Sequence, residues 1–466
     1  MTAARTPGTR QHPIRVAVVG AGPAGFFTAE ALLRSEAPLF DVDVFERLPT
    51  PFGLVRSGVA PDHQKIKAVT KTFERTAAHH RFRFLGNVEV GRDLSAEELG
   101  THYDQVVYAI GSSTDRRLGI PGEELGGCHA ATAFVGWYNA HPDFREFPID
   151  LGAERAVVVG AGNVAMDIAR VLVKDPEQLA KTDIARHAVE ALSLSRVREV
   201  VLLARRGPAQ AAFDPRELAD IAALPGVSVS LDLAAVEADA ADRTGLDPRQ
   251  RKNLELMLEL ARRPSVPSER RLRLEFNASP IALEGNAHVE RVRVERNTAV
   301  REPDGRVVAR GTGETFDLPA GLVFRSIGYQ GEPLVGVPFD SKAGVIPNLD
   351  GRVTDGGAVL AGTYAVGWIR RGPLGVIGTN KADAQRVVER MLEDASTLPT
   401  REPSTVSHAA IDALLARRGV SVTTYADWLH LDLVEINAGR ASGKLREKFA
   451  SVEAMMNELL ARRAAE

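Results

Sequence analysis

Two glycine patterns in this chain have the residue types and spacing to do chemistry. Gly20-Ala-Gly22-Pro-Ala-Gly25 follows the β-branched run IRVAVVG and opens an apolar stretch of helical period. Glu46 closes the next strand-like run, DVDVFE. In such a unit the glycines allow a tight turn and a close backbone approach to a pyrophosphate. The helix N-terminus stabilises the phosphate charge, and the acid accepts from a ribose hydroxyl. The competing reading of the glycines is a tight turn with close helix packing, which gives no role to the strand-end acid.

The pattern returns further along the chain. Gly160-Ala-Gly162-Asn163-Val164-Ala165 follows RAVVV and opens NVAMDIARVLV, but the next strand, REVVLLARRG, runs out on Arg205 and Arg206. An acid at that place would repel a 2′-phosphate, whereas guanidiniums bind one bidentately. The second cradle therefore suits NADP(H) better than NAD(H); the competing reading is a solvated basic turn. One dinucleotide cannot occupy both cradles, so the chain is expected to hold two and to move electrons between them.

A third stretch, GWIRRGPLGVIGTNKADA (367–384), reads as a Gly-Pro turn followed by a helix that starts on Gly375, Val376 and Ile377. Free N–H groups at such a start suit the negative N1–C2=O edge of a reduced flavin, and Trp368 could border its ring. The loop PTPFGLVRSGVAPDHQKIK (49–67), with Arg56, Asp62 and His63, would then run past the ring as an extended, stiff wall.

The elements that must position these groups follow from the same patterns. Strand, glycine turn, helix and strand make a βαβ unit at 14–46 and another from 155 to 207. An amphipathic helix is expected near 249–262, helical chain beyond 395, and a frayed tail over 1–13. At 466 residues two or three domains are expected. The fold class is α/β, with two Rossmann-like dinucleotide-binding domains in a glutathione-reductase-like flavoprotein architecture. The FAD domain is discontinuous, 14–116 plus 331–466, and the NADP domain spans 117–330.

Composition closes other routes. The net charge of −3 supplies no field toward nucleic acid or an anionic membrane, and no 18-residue apolar run exists to span one. The single cysteine, Cys128, rules out an intramolecular disulfide, a C-x-x-C pair and a cysteine-ligated zinc or iron–sulfur site.

On GAGPAGFF (20–27), PTPFGLVRSGVAPDHQKIK, VVGAGNVAMDIAR (158–170), LARRGPAQAAF (203–213) and YAVGWIRRGPLGVIGTNKADA, the chain resembles the adrenodoxin reductase family of NADPH–ferredoxin reductases, bacterial type. The resemblance runs from about 14 to 390. It implies bound FAD at Gly20, Gly22, Ala24, Gly25, Glu46, Leu54, Val90, Trp368, Gly375, Val376 and Ile377. It implies NADP(H) as co-substrate at Arg116, Gly162, Asn163, Val164, Arg205, Arg206, Glu217 and Gly375. The implied reaction is hydride transfer from NADPH to FAD N5, then single electrons to a ferredoxin-type iron–sulfur protein.

His63, Asp167 and Asp220 are the candidate catalytic residues, as a charge network near the ring; whether Asp220 or Glu217 is the acid that pairs with His63 stays open. A loop role for His63 and a local capping role for Asp167 are the plainer readings. The partner is expected to dock on basic residues, with Arg249, Arg251 and Lys252 foremost. The expected location is the cytoplasm, or the mitochondrial matrix in a eukaryote. Two other functions remain open: the electron-input subunit of a larger complex, like the small subunit of glutamate synthase, and a non-catalytic nucleotide-binding redox sensor. The former usually carries cysteine-rich iron–sulfur segments, which are absent here.

Overall fold

The structure, a computed structural model, describes residues 7–241, 244–264, 267–303, 306–399 and 401–465. They form two compact units. The described residues up to Val59, His63–Thr114 and those from Tyr329 onward make one; Ala60–Asp62 and Asp115–Gly328 make the other. The crossings thus fall at 114/115 and 328/329, where the sequence suggested 116/117 and 330/331. A short excursion at 60–62 had no signal in the sequence.

The first unit is built on Ile14–Val19, six consecutive buried residues. Such a continuous apolar run belongs in a parallel sheet covered on both faces, where alternation would leave polar side chains in the core. It pairs in parallel with Phe40–Glu46 on one side and Gln105–Tyr108 on the other. Phe82–Gly86 and Ala358–Ala365 extend the sheet in parallel, and two short antiparallel strands, Arg352–Asp355 and Asn348–Leu349, close its edge. Helices Pro23–Leu33 and Thr379–Asp394 pack together on one apolar face. The chain beyond 395 contributes helices His408–Arg417, Tyr425–Ala441 and Val452–Ala465. The first of these sends Ile411 and Leu415 into one core cluster, and the other two send Trp428, Leu431, Met455 and Leu459 into another.

Residues 7–13, read from sequence as part of a frayed tail, are tied down: Gly8 N–H donates to His12 and Gly8 C=O accepts from Leu39 N–H at 2.9 Å. Residues 1–6 lie outside the described residues.

The second unit has a six-stranded parallel sheet centred on Arg155–Val159 and Glu199–Leu203. A three-stranded antiparallel sheet, Ala278–Glu284, Arg291–Arg301 and Val307–Pro319, belongs to the same unit. The amphipathic helix runs Pro248–Arg262 and buries Asn253, Leu254, Met257 and Leu260. Among the described residues, no helix is long and apolar enough to cross a membrane.

Candidate functional site

In the first unit the three glycines of the turn have separate jobs. A Cβ on Gly20, at φ +108°, would stand 2.6 Å from the carbonyl oxygen of Ala109; one on Gly25 would stand 2.0 Å from that of Gly20. Both are packing glycines. A Cβ on Gly22 would meet nothing within 4 Å, so this glycine leaves its side of the turn open. Helix Pro23–Leu33 starts there without a side-chain cap and without an acid in its first turn. Glu46 accepts from Ala21 N–H at 3.1 Å and Leu48 N–H at 3.2 Å, bracing the turn against the next strand. Burial pushes its carboxyl above the ordinary range.

The loop after Glu46 is not extended. It contains two four-residue helices, Leu54–Ser57 and Gln64–Lys67, because residues 49–58 are locked on both sides. Phe52 donates its N–H to Ala21 C=O and takes φ +85°, a left-handed conformation that costs an aromatic residue roughly 1–3 kcal/mol. Its ring is packed among Phe26, Phe73 and Trp428, and burying a Phe side chain returns roughly 1.5–3 kcal/mol, enough to hold the strain. Gly53 then passes so close to the cradle that a Cβ on it would lie 3.0 Å from Gly22 Cα. Leu54 is partly exposed beside it, and Val90 is buried in a neighbouring cluster. Arg56 is fixed by the fully buried Glu435 through a two-pronged ion pair, one contact at 2.8 Å, and its carbonyl accepts from Lys448.

The C-terminal part of this site also departs from expectation. Gly375, Val376 and Ile377 precede the helix, which runs Thr379–Asp394. Val376 N–H donates to Thr379 Oγ1 at 3.1 Å, so a side chain satisfies one of the donors assigned to a helix start. Gly367, at φ +77°, comes close to Ala24: a Cβ there would be 2.6 Å from the Ala24 Cβ. Trp368 starts the short helix Trp368–Arg371, lies 5.2 Å from the Tyr329 ring, and its Nε1 is buried without a protein partner. His63 sits immediately before helix Gln64–Lys67, in this first unit.

In the second unit Gly160, at φ +134°, packs 2.1 Å (as a Cβ) from Ser326 C=O, whereas Gly162 faces open space. Helix Asn163–Val173 has neither a side-chain cap nor an acid in its first turn. Asn163 Oδ1 accepts from Asp214 N–H at 2.7 Å, joining the cradle to helix Pro215–Ala222; Val164 follows on the first turn. Arg205 and Arg206 line a cavity of about 490 Å³. Burial, and then Arg205, ease proton loss from Arg206. Arg116, exposed, donates its N–H to Gly328 C=O.

Three acids of this unit meet on one buried cation. Arg170 binds Asp167 and Glu217, each at 2.6 Å, and Asp62 at 3.0 Å, while Lys174 binds Asp62 at 2.8 Å. Burial, then the Asp167 charge, pushes the Glu217 carboxyl up to about 7. Asp62 is also buried, but Arg170 and Lys174 together hold it far below its ordinary value. Asp220 lies exposed on the same helix as Glu217 and adds a smaller repulsion to it. Of the sequence-named acids, Asp167 and Glu217 are thus brought together and Asp220 is not. Arg170 and Lys174 were missed. An acid and an arginine at i, i+3 on one helix face, Asp167 and Arg170, was the signal that could have found the first.

With this geometry in view, comparisons with known proteins place the chain. Residues 14–223 match the pyridine nucleotide-disulphide oxidoreductase family. The NADPH-ferredoxin reductase FprA of Mycobacterium tuberculosis is 45% identical over 455 residues, 96% of this chain and 99% of the relative. Human mitochondrial NADPH:adrenodoxin oxidoreductase is 43% identical over 465 residues, 97% of this chain and 93% of the relative. The chain belongs to the adrenodoxin reductase family of NADPH–ferredoxin reductases. A solved structure of M. tuberculosis FprA in complex with NADPH superposes with a TM-score of 0.92, at 45% identity, covering 96% of this chain and all of that one. The family's α/β architecture with Rossmann-like domains is accordingly the fold of this chain.

Proposed function

We propose that this protein is an NADPH–ferredoxin reductase that carries FAD in its first unit and takes NADPH as co-substrate in its second. The observation that carries the reading is likeness over nearly the whole of both chains to a protein named for that activity. Two cradles of opposite strand-end charge and a single cysteine agree with it.

The first unit fits FAD on two features of its own: the open Gly22 at an uncapped helix start, and the buried Trp368 Nε1 without a protein partner. Gly20, Gly22, Ala24 and Gly25 hold the pyrophosphate, Glu46 the ribose, and Leu54, Val90, Trp368, Gly375, Val376 and Ile377 border the ring. Bound FAD supplies the capacity to take two electrons together and pass them on singly.

In the second unit Gly162, Asn163 and Val164 receive the NADP pyrophosphate, Arg205 and Arg206 the 2′-phosphate, and Arg116 and Glu217 the nicotinamide half. Glu217, poised near neutrality, can donate or accept a hydrogen bond at a bound amide. Asp167 pairs with Arg170, and Asp220, exposed on the helix that carries Glu217, lies toward the same coenzyme. The partner is an iron–sulfur protein of the ferredoxin type that docks on Arg249, Arg251 and Lys252, and a cytoplasmic location goes with it.

The test is spectroscopic. The purified yellow protein should be bleached rapidly by NADPH and slowly by NADH, and ferredoxin should restore the colour under anaerobic conditions. A protein with no flavin, or a flavin indifferent to NADPH, would overturn the reading.

A further inference from the structure

One buried carboxylate organises the turn between Gly367 and helix Thr379–Asp394. Asp383, one turn into that helix, is only 4% exposed at its side chain. It accepts from Gly367 N–H at 2.6 Å and from Arg370 Nε at 3.1 Å, and Arg370 Nη2 adds a second contact. Arg371 Nε lies 3.6 Å from the oxygen that takes the Gly367 N–H.

Arg371 is tied to the same turn at two further points. Its Nη2 donates to Asn380 Oδ1 at 2.9 Å and its Nη1 to Leu374 C=O. Asn380 Nδ2 in turn donates to Ile377 C=O at 3.1 Å. The guanidinium is thereby fixed against the stretch that contains Gly375, Val376 and Ile377.

The charges in this turn do not balance. Among the described residues, Arg370 and Arg371 share the Asp383 carboxylate, which leaves one positive charge over. The site is only partly open to water, since the two arginine side chains are 12% and 17% exposed. Burial eases proton loss from Arg371, Asp383 opposes this, and Arg370 adds to it. A cation held against burial and a like charge is stabilised by an anion brought beside it.

The flavin reading supplies that anion. A reduced flavin is negative at its N1–C2=O edge. The helix expected to face it starts at Thr379 and not at Gly375, and Val376 N–H is already given to Thr379 Oγ1. Less of a helix dipole is on offer than the sequence suggested, and the guanidinium bound to the turn makes up positive field in its place.

We infer that Arg371 is the cation that favours the reduced flavin, and that Asp383 is the positioning residue that holds it in the turn and limits its strength. This deepens, and rests on, the reading that places FAD in the first unit.

Midpoint potentials of the FAD-loaded protein, measured against a reference dye, test the pair. Arg371→Gln should make two-electron reduction about tenfold less favourable, a fall of about 30 mV, while Arg371→Lys keeps most of the wild-type value. Asp383→Asn retains an oxygen for Gly367 N–H but removes the negative charge, so it should raise the potential by a similar amount. Loosening of the turn alone would move both variants the same way, toward free FAD; opposite shifts therefore identify charge as the cause. If Arg371→Gln keeps the wild-type potential, if both variants shift alike, or if neither holds flavin, the inference is wrong and the FAD site of the wild type stands. Where only one variant holds flavin, its own shift decides. A fall for Arg371→Gln with Arg371→Lys near wild type, or a rise for Asp383→Asn, supports the inference, and any other result overturns it. A wild type that binds no FAD would sink the reading of the first unit and the inference with it.

Discussion

Around Arg170 three carboxylates share one guanidinium, and the ammonium of Lys174 pairs with Asp62. For Glu217 burial, the Asp167 charge and, more weakly, the Asp220 charge outweigh the pairing with Arg170. Its proton is therefore held in the folded protein to about pH 7, against an ordinary value of 4.5. An acid whose folded value is raised contributes stability in full below the unfolded value and loses it as pH rises through the folded one. Between pH 5 and 8 the wild type should thus lose stability relative to Glu217→Gln, by up to about 3 kcal/mol at roughly 1.4 kcal/mol per unit. Melting curves of both proteins at four pH values decide it; a constant difference would mean that Glu217 does not titrate there. A second residue-scale expectation concerns Arg205 and Arg206. Replacing both by Ala should raise the NADPH KM by at least ten- to hundredfold and leave that for NADH almost unchanged, since only NADPH has the 2′-phosphate. Equal weakening of both coenzymes would make the pair structural. The arginines were legible because they stand where a strand-end acid is expected. The Arg170 cluster was not, since Asp62 and Glu217 reach it from 108 and 47 residues away.

At the scale of elements, strand, glycine turn and helix could be read directly, because each residue type there answers a local demand of the backbone. The loop at 49–67 could not. Its two short helices depend on Phe52 packing and on the Arg56–Glu435 pair, and nothing local to the loop shows a carboxylate 379 residues on. For the same reason helix Tyr425–Ala441 carried no functional signal. Glu435 is wholly buried there; burial pushes its carboxyl upward, but Arg56 and Arg446 bring it below its ordinary value. Glu435→Gln leaves Arg56 short of charge in a dry site, a change that typically costs about 3–5 kcal/mol, while Arg446 keeps Asp432. Because Arg56 shares a four-residue helix with Leu54 at the proposed flavin site, the variant should also purify with less FAD. Glu46→Ala should lose FAD with a smaller fall in melting temperature, since its bonds go to the turn rather than to a buried charge. Flavin-to-protein absorbance ratios and melting curves read both effects. Full occupancy in Glu435→Gln would detach the C-terminal helices from the flavin site.

For the molecule as a whole, the net charge of −3 cannot draw in an acidic iron–sulfur protein, so attraction must come from a local surface. Most candidates are already answered by acids: Arg262 by Glu237, Arg263 by Glu259 and Arg273 by Glu275. The first turn of helix Pro248–Arg262 is different. Arg251 spends one donor on the Leu246 carbonyl, Arg249 pairs among the described residues with Asp247 at 3.9 Å, and both remain exposed beside Lys252. A carbonyl does not cancel a charge, so this turn keeps its field. Rim charges act on encounter rate and salt dependence more than on the chemical step. Arg251→Glu with Lys252→Glu should therefore slow ferredoxin-coupled turnover about tenfold at low salt and flatten its dependence on salt. Reduction of a small neutral dye at saturating NADPH measures the same flavin without the docked partner, and should stay at the wild-type rate. If dye reduction falls in parallel, these residues support the second unit itself and the iron–sulfur partner approaches by another face.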